Sequence, residues 1–100
     1  MSYNNIILTT KDFVSTITLN HPPANSVNLG VREELNNAVI ELEQSKDTRV
    51  VIITGAGDKG FCAGMDVTDI PNLEKGPHGS DRFHRIERFP KPVIAAINGY

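Results

Sequence analysis

Along the chain, apolar and polar positions change period several times, and each change marks an element. From Phe13 to Leu19 they alternate. Phe13, Ser15, Ile17 and Leu19 share one parity and Val14, Thr16 and Thr18 the other, which predicts a half-buried strand. Ile6–Thr10 reads as its partner, and the tight polar turn Lys11-Asp12 between them predicts a hairpin. In "HPPANSVN" (21–28), Pro22 and Pro23 bar a helix. Asn28 is a good N-cap with Glu33 and Glu34 early behind it, so a helix is expected from there to near Ser45. Its buried stripe would be Val31, Leu35, Ala38/Val39 and Leu42, with Glu33 and Glu34 facing solvent. Val50–Thr54 begins with four apolar residues in a row, which suits a strand covered on both faces. "TDIPNLEKGPHGS" (68–80) predicts a polar loop. Ser80 can cap a short helix that turns Phe83, Ile86 and Phe89 inward before Pro90, and Val93–Ile97 reads as the last strand. The order ββαβ–loop–αβ belongs to the α/β class.

Composition narrows the partners. One hundred residues make at most one modest domain, and ten basic residues against twelve acidic ones leave a net charge of −2. That balance, with no basic run, points away from nucleic acid. The longest apolar runs, Val50–Ile53 and Val93–Ile97, are too short to cross a bilayer, which points away from a membrane. The first residues do not read as a signal or transit peptide. The single cysteine, Cys62, excludes an internal disulfide and fits a reducing compartment, so the expected location is the cytoplasm. A strand-like run at 93–97 with nothing after it to pack or pair predicts that residues 1–100 are the N-terminal part of a longer domain.

Chemistry concentrates in "VVIITGAGDKGFCAGMD" (50–66). Gly55 to Gly60 spells G-x-G-x-x-G after a strand, the outline of a dinucleotide loop. That motif also needs a helix opening within it and an acid at the end of a second strand. Here a fourth glycine and Pro71 follow, and the candidate acid Glu74 lies in the polar stretch. A P-loop fails because Phe61 follows Gly60. The alternative is an anion site made of backbone: Gly64 permits a left-handed turn or close approach, and the amides after it, from Met65 onward, can point together at developing negative charge. The bland alternative for Gly64 is a plain turn. Cys62 has no sequence neighbour that would lower its pKa and reads as a packing residue. His21, His78 and His84 show no metal spacing, so no metal site is expected, and no G-x-S-x-G nominates a serine. Asp66 either orients its own loop or contacts a ligand. Asp69 is a local acid only if its loop folds over the site.

Three segments taken together, "LNHPPANSVN" (19–28), "VVIITGAGDKGFCAGMDVTDI" (50–70) and "RFPKPVIAAINGY" (88–100), closely resemble the enoyl-CoA hydratase/isomerase, or crotonase, family in order and spacing. The resemblance covers essentially the whole chain. It implies an N-terminal part of a spiral of ββα units that binds an acyl-CoA thioester. Coenzyme A then arrives as part of the substrate, with no separate cofactor. By resemblance, the Met65 amide after Gly64 is one of two that hold the thioester oxygen as an enolate forms. Ala63, Asp66 and Val67 lie where the family contacts the adenine, and Ala24 and Ser26 flank the pantetheine and phosphates. Residues 69–80 correspond to a variable region beside the acyl pocket. Many relatives carry a basic residue where this chain has Pro23, so phosphate contacts would come from elsewhere, Lys59 or a neighbouring subunit. The family's second oxyanion amide and its acid/base glutamates fall after the position of Tyr100.

The implied reaction is syn hydration of a 2-enoyl-CoA in fatty acid metabolism, a lyase activity. Double-bond isomerisation or another reaction of the family is the alternative, and trimer-based homo-oligomers are the expected assembly. Two other expectations stand beside it. One is a catalytically silent truncated chain that self-associates through the unpaired Val93–Ile97 edge. The other is an NAD(H)-binding oxidoreductase.

Overall fold

In a computed structural model, the described residues are 3–58, 60–64 and 86–99. The hairpin forms with its turn one residue later than the polar pair suggested. β1 (Ile6–Lys11) pairs antiparallel with β2 (Val14–Leu19) in the register Lys11↔Val14, so Asp12 and Phe13 are the turn. Both adopt positive φ, 53° and 67°, as a two-residue hairpin turn of the favoured hand requires. Phe13 is a bulky residue in a sparsely allowed region. Its carbonyl accepts the amide of Arg49 at 2.8 Å, and the Arg49 guanidinium lies 4.4 Å from its ring centroid. The slip removes Phe13 from β2 and leaves Ser15, Ile17 and Leu19 as its buried face.

α1 (Leu29–Gln44) starts where its cap dictates. The Asn28 side chain accepts the Val31 amide at 2.8 Å, one of the orphan donors of the first turn. The expected stripe of Val31, Leu35, Ala38, Val39 and Leu42 is buried, and Arg32 is buried with it. At the far end the helix has no basic residue of its own. Lys91 supplies the charge from 46 positions after Ser45, donating to the Leu42 and Ser45 carbonyls at 2.9 and 2.7 Å.

Glu34 departs from the expectation of a solvent-facing acid. It is half-buried, and its carboxylate accepts the Asn4 and Asn5 amides and the Asn5 carboxamide, tying the N-terminal segment to α1. Glu33 is exposed as expected.

β3 (Val50–Gly55) lies parallel to β2, and β4 (Val93–Ala95) lies parallel to β3, giving the sheet order β1-β2-β3-β4. The first ββα unit, β1-β2-α1, therefore stands complete. The core is Ile6, Ile17 and Leu19 with Val51 and Ile53 beneath the α1 stripe, and Ile86, Phe89, Phe61 and Cys62 pack against it. Ser15 enters that core as a hydroxyl, satisfied by Thr10 and Thr48 at 2.7 Å each. β3 is not covered on both faces among the described residues: Val51, Ile53 and Gly55 are buried, whereas Val50, Ile52 and Thr54 are half-buried. β4 is also shorter than Val93–Ile97. Pairing ends once the Ala96 amide has reached the Ile53 carbonyl, because Asn98 then turns its side chain onto Gly55.

Candidate functional site

The carboxyl ends of the parallel strands β2 and β3 feed two loops, residues 20–28 and 56–64, which fold against each other. Such strand ends are where α/β sheets usually hold ligands. Two backbone bonds join the loops: the Ala63 amide donates to the Ala24 carbonyl at 3.1 Å, and the Val27 amide donates to the Gly64 carbonyl at 2.6 Å. Ala24 and Ala63, nominated from distant parts of the sequence, are thus bonded to each other, and Gly64 is bonded to Val27; Ser26, in the same loop as Ala24, bonds His21. Met65, Asp66 and Val67 lie outside the described residues, as do Lys59, Asp69, Glu74, Ser80, Phe83, His78 and His84.

Gly64 has φ +97°, and a Cβ built on it would meet no atom within 4 Å. Glycine is there for its backbone angle, and no described residue crowds the space beside it. Gly55 is the opposite case. A Cβ there would stand 2.6 Å from the carbonyl oxygens of both Gly60 and Phe61, so the loop's own backbone fills that volume.

The glycine loop between them is built around carboxamides. Asn98 Nδ2 donates to the carbonyls of Gly55 at 2.7 Å and Gly57 at 3.1 Å, while its Oδ1 accepts the Gly55 amide at 3.2 Å. Asn25 Nδ2 donates to the carbonyls of Gly60 at 2.9 Å and Ala56 at 3.3 Å. The carbonyls thus turn toward donors, and the Gly55 and Ala56 amides are consumed by Asn98 and Leu19. A phosphate cradle needs amides aimed at the ligand. The G-x-G-x-x-G spelling is thus a turn clamped by carboxamides, with the Gly55 and Ala56 amides already engaged, which argues against a dinucleotide cradle.

Asn25 was not nominated from the sequence. It is 4% exposed at φ 56°, accepts the His21 amide on Oδ1 at 2.9 Å, and returns its own amide to the His21 carbonyl at 2.8 Å. Asparagine tolerates the left-handed region better than most residues, which was the one available signal. His21 is part of the same turn. Its Nδ1–H donates to the Ser26 carbonyl at 2.6 Å, so Nε2 is the acceptor, 3.4 Å from the Asn28 carboxamide nitrogen. With that tautomer His21 is no base for the Ser26 hydroxyl.

An open groove of about 220 Å³ runs between Asn20, Pro22 and Pro23 on one side and Ala56, Gly57 and Asp58 on the other. Among the described residues its charged lining is the Asp58 carboxylate, which suits neither phosphate nor any other anion. Cys62 is half-buried against the core, in keeping with a packing role. No group of three or more His, Cys, Asp or Glu that could hold a metal is found among the described residues, and no helix there is long and apolar enough to cross a membrane.

Comparison with known proteins gives the site its context. The sequence profile of the family described as enoyl-CoA hydratase/isomerase matches residues 9–100. The chain is 36% identical to the short-chain-enoyl-CoA hydratase of Clostridium acetobutylicum over 100% of its own length and 41% of that protein's. It is 38% identical to the crotonyl-CoA hydratase of Syntrophomonas wolfei with the same coverage. The crystal structure of an enoyl-CoA hydratase from Bacillus anthracis superposes with a TM-score of 0.82 at 38% identity, over 96% of this chain and 40% of that one. The chain spans about two fifths of the length of these relatives, and its sheet and helix have the N-terminal arrangement of a crotonase fold. It belongs to the enoyl-CoA hydratase/isomerase family.

Proposed function

We propose that the chain supplies the CoA-binding loops and the first oxyanion amide of an enoyl-CoA hydratase, which adds water syn to a 2-enoyl-CoA thioester. Ala24, Ser26 and Ala63, with Asp66 and Val67, contact the coenzyme A portion of the substrate. The amide after Gly64, that of Met65, receives the thioester oxygen. The observation that carries this reading is the Val27–Gly64 hydrogen bond. The Gly64 carbonyl and the amide that follows it share one planar peptide unit. Holding that carbonyl from one side fixes the plane before substrate arrives. A bond accepted at the carbonyl also polarises the amide at the other end.

The chemistry needs such preorganisation. Attack on the 2-enoyl thioester places one negative charge on the thioester oxygen as the enolate forms, and a fixed donor meets that charge without reorganising. Loss of one such donor costs about 3–4 kcal/mol of barrier. The second oxyanion amide and the glutamates that activate water and protonate the enolate belong, by family resemblance, to positions after Tyr100. Trimer-based self-assembly, a role in fatty acid metabolism and a cytoplasmic location are parts of the same proposal.

A second reading has its own support. β4 is an edge strand in the described sheet, and Ile94 and Ile97 beside it are 53% and 67% exposed. On that reading the 100-residue chain binds acyl-CoA weakly, does no chemistry and self-associates. Purified chain mixed with crotonyl-CoA and with acetyl-CoA tests both. Loss of the enoyl-thioester absorbance above a buffer control overturns the silent chain. Acetyl-CoA binding without turnover fits either reading, because the glutamates are assigned to positions after Tyr100; absence of acetyl-CoA binding counts against the CoA-binding loops. Saturable NADH binding that CoA does not displace overturns both.

A further inference from the structure

The glycine loop is held from two sides, and the two holds do different work. On the β4 side, Asn98 engages both the amide and the carbonyl of Gly55, together with the carbonyl of Gly57. This seats the loop on the sheet. On the other side, Asn25 connects the seated loop, through the carbonyls of Ala56 and Gly60, to the turn that begins at His21. Ala24 lies immediately before Asn25, and Val27 two residues after it. These are the residues that bond Ala63 and Gly64. Asn25 borders the groove but is 4% exposed, and its carboxamide is engaged by the His21 amide and the Ala56 and Gly60 carbonyls.

We propose that Asn25 is a positioning residue of the acyl-CoA site, whose carboxamide locks the 20–28 loop to the glycine loop and thereby aligns Ala63 and Gly64. The inference rests on the functional reading above and adds to it the device that sets the site's geometry. Two partners are involved, and neither is apolar packing. A buried primary amide bridging two carbonyls cannot be replaced by a group that lacks donors without leaving both carbonyls short of a partner. Its left-handed backbone is a separable contribution, because glycine supplies the same φ with no side chain.

The test uses the full chain, labelled with ¹⁵N, as wild type, Asn25→Asp and Asn25→Gly. Asn25→Asp keeps the acceptor for the His21 amide and loses the donors. Asn25→Gly keeps the backbone angle and loses the carboxamide. Native-state exchange of the Val27 and Ala63 amides is read against that of Val51, bonded to the Pro92 carbonyl, and Arg32, bonded to the Asn28 carbonyl. Exchange at Val27 and Ala63 is expected to rise roughly tenfold or more in both variants, with Val51 and Arg32 unchanged. In the same samples acetyl-CoA should bind roughly tenfold more weakly, a loss that a purely structural residue would not show while core protection holds. Val27 and Ala63 amides as protected in the variants as in wild type overturn the proposal, and so does unchanged acetyl-CoA affinity in variants whose loop amides have opened. A wild-type chain that binds no acetyl-CoA counts instead against the functional reading, since the exchange rates report on the lock with no ligand present.

Discussion

The middle and the carboxyl end of β3 are held by different physics. Its middle, Val51 and Ile53, lies in an apolar layer beneath α1 with Ile17, Leu35 and Val39. Its carboxyl end, from Gly55 onward, passes into a loop whose carbonyls are held by Asn25 and Asn98. Apolar layers are non-directional and tolerate small shifts. A carboxamide bridging two carbonyls fixes orientation to within a hydrogen bond's narrow range. A site that must present an amide to a developing charge gains from the second kind of hold, while the fold as a whole depends on the first.

The comparison breaks most visibly at Ile17. It is fully buried in the centre of the sheet, and Ile17→Ala removes its side-chain packing against the α1 stripe. The expected loss is about 3–4 kcal/mol of global stability, read as a lower denaturant midpoint. Exchange should then accelerate everywhere at once, in the loops and in α1 alike. A variant that opened only the 56–64 loop would show that the apolar layer and the loop are not one cooperative unit.

Gly55→Ala is the complementary change. Its methyl group would face the backbone oxygens of Gly60 and Phe61 at 2.6 Å, and those atoms move only if the whole loop moves. A loss of about 2–3 kcal/mol is expected, with the exchange increase concentrated at Val27 and Ala63. At Gly64→Ala the methyl group meets none of the described residues, and the +97° backbone is what opposes it. That change should cost about 1–2 kcal/mol. Equal costs at the two glycines would mean that close approach at Gly55 is relieved by a loop shift that the hydrogen bonds permit.

What the sequence disclosed follows the same division. Strand alternation, the Asn28 cap and the 31/35/38–39/42 stripe were all legible, because burial leaves a period in the residues. The two loops that hold the nominated residues were legible through family resemblance, and among the described residues Ala24 bonds Ala63 while Val27 bonds Gly64. Asn25, Asn98 and Lys91 were not. Each acts through one side chain on backbone groups more than 30 residues away, and such a contact imposes no period and no spacing. The Lys11-Asp12 turn slipped by one for a related reason. Register was set by which parity faces α1, and the turn took the residues left over, Asp12 and Phe13. Glu34 was read as solvent-facing because its partners, Asn4 and Asn5, sit outside any periodic element.

Polar anchors also occur on the helix side, and Tyr3 tests whether they matter as the loop asparagines do. Its hydroxyl donates to Glu41 at 3.0 Å. Burial, then the Glu41 hydrogen bond, then the charges of Glu41 and Glu34 push the phenol from 10.0 up to about 12. The folded chain thus holds its proton through a range in which the unfolded chain has released it. Stability from this group is fully present below pH 10 and is lost as pH rises from 10 towards 12. Tyr3→Phe removes that slope. Because Tyr3 is half-exposed and screened, the difference should stay below about 1 kcal/mol, seen as denaturant midpoints that converge between wild type and variant as pH climbs past 10. Midpoints that stay parallel up to pH 12 would mean that Tyr3 titrates normally. The N-terminal segment would then be held to α1 by the Glu34 carboxylate and its three donors on Asn4 and Asn5, leaving the tyrosine a bystander.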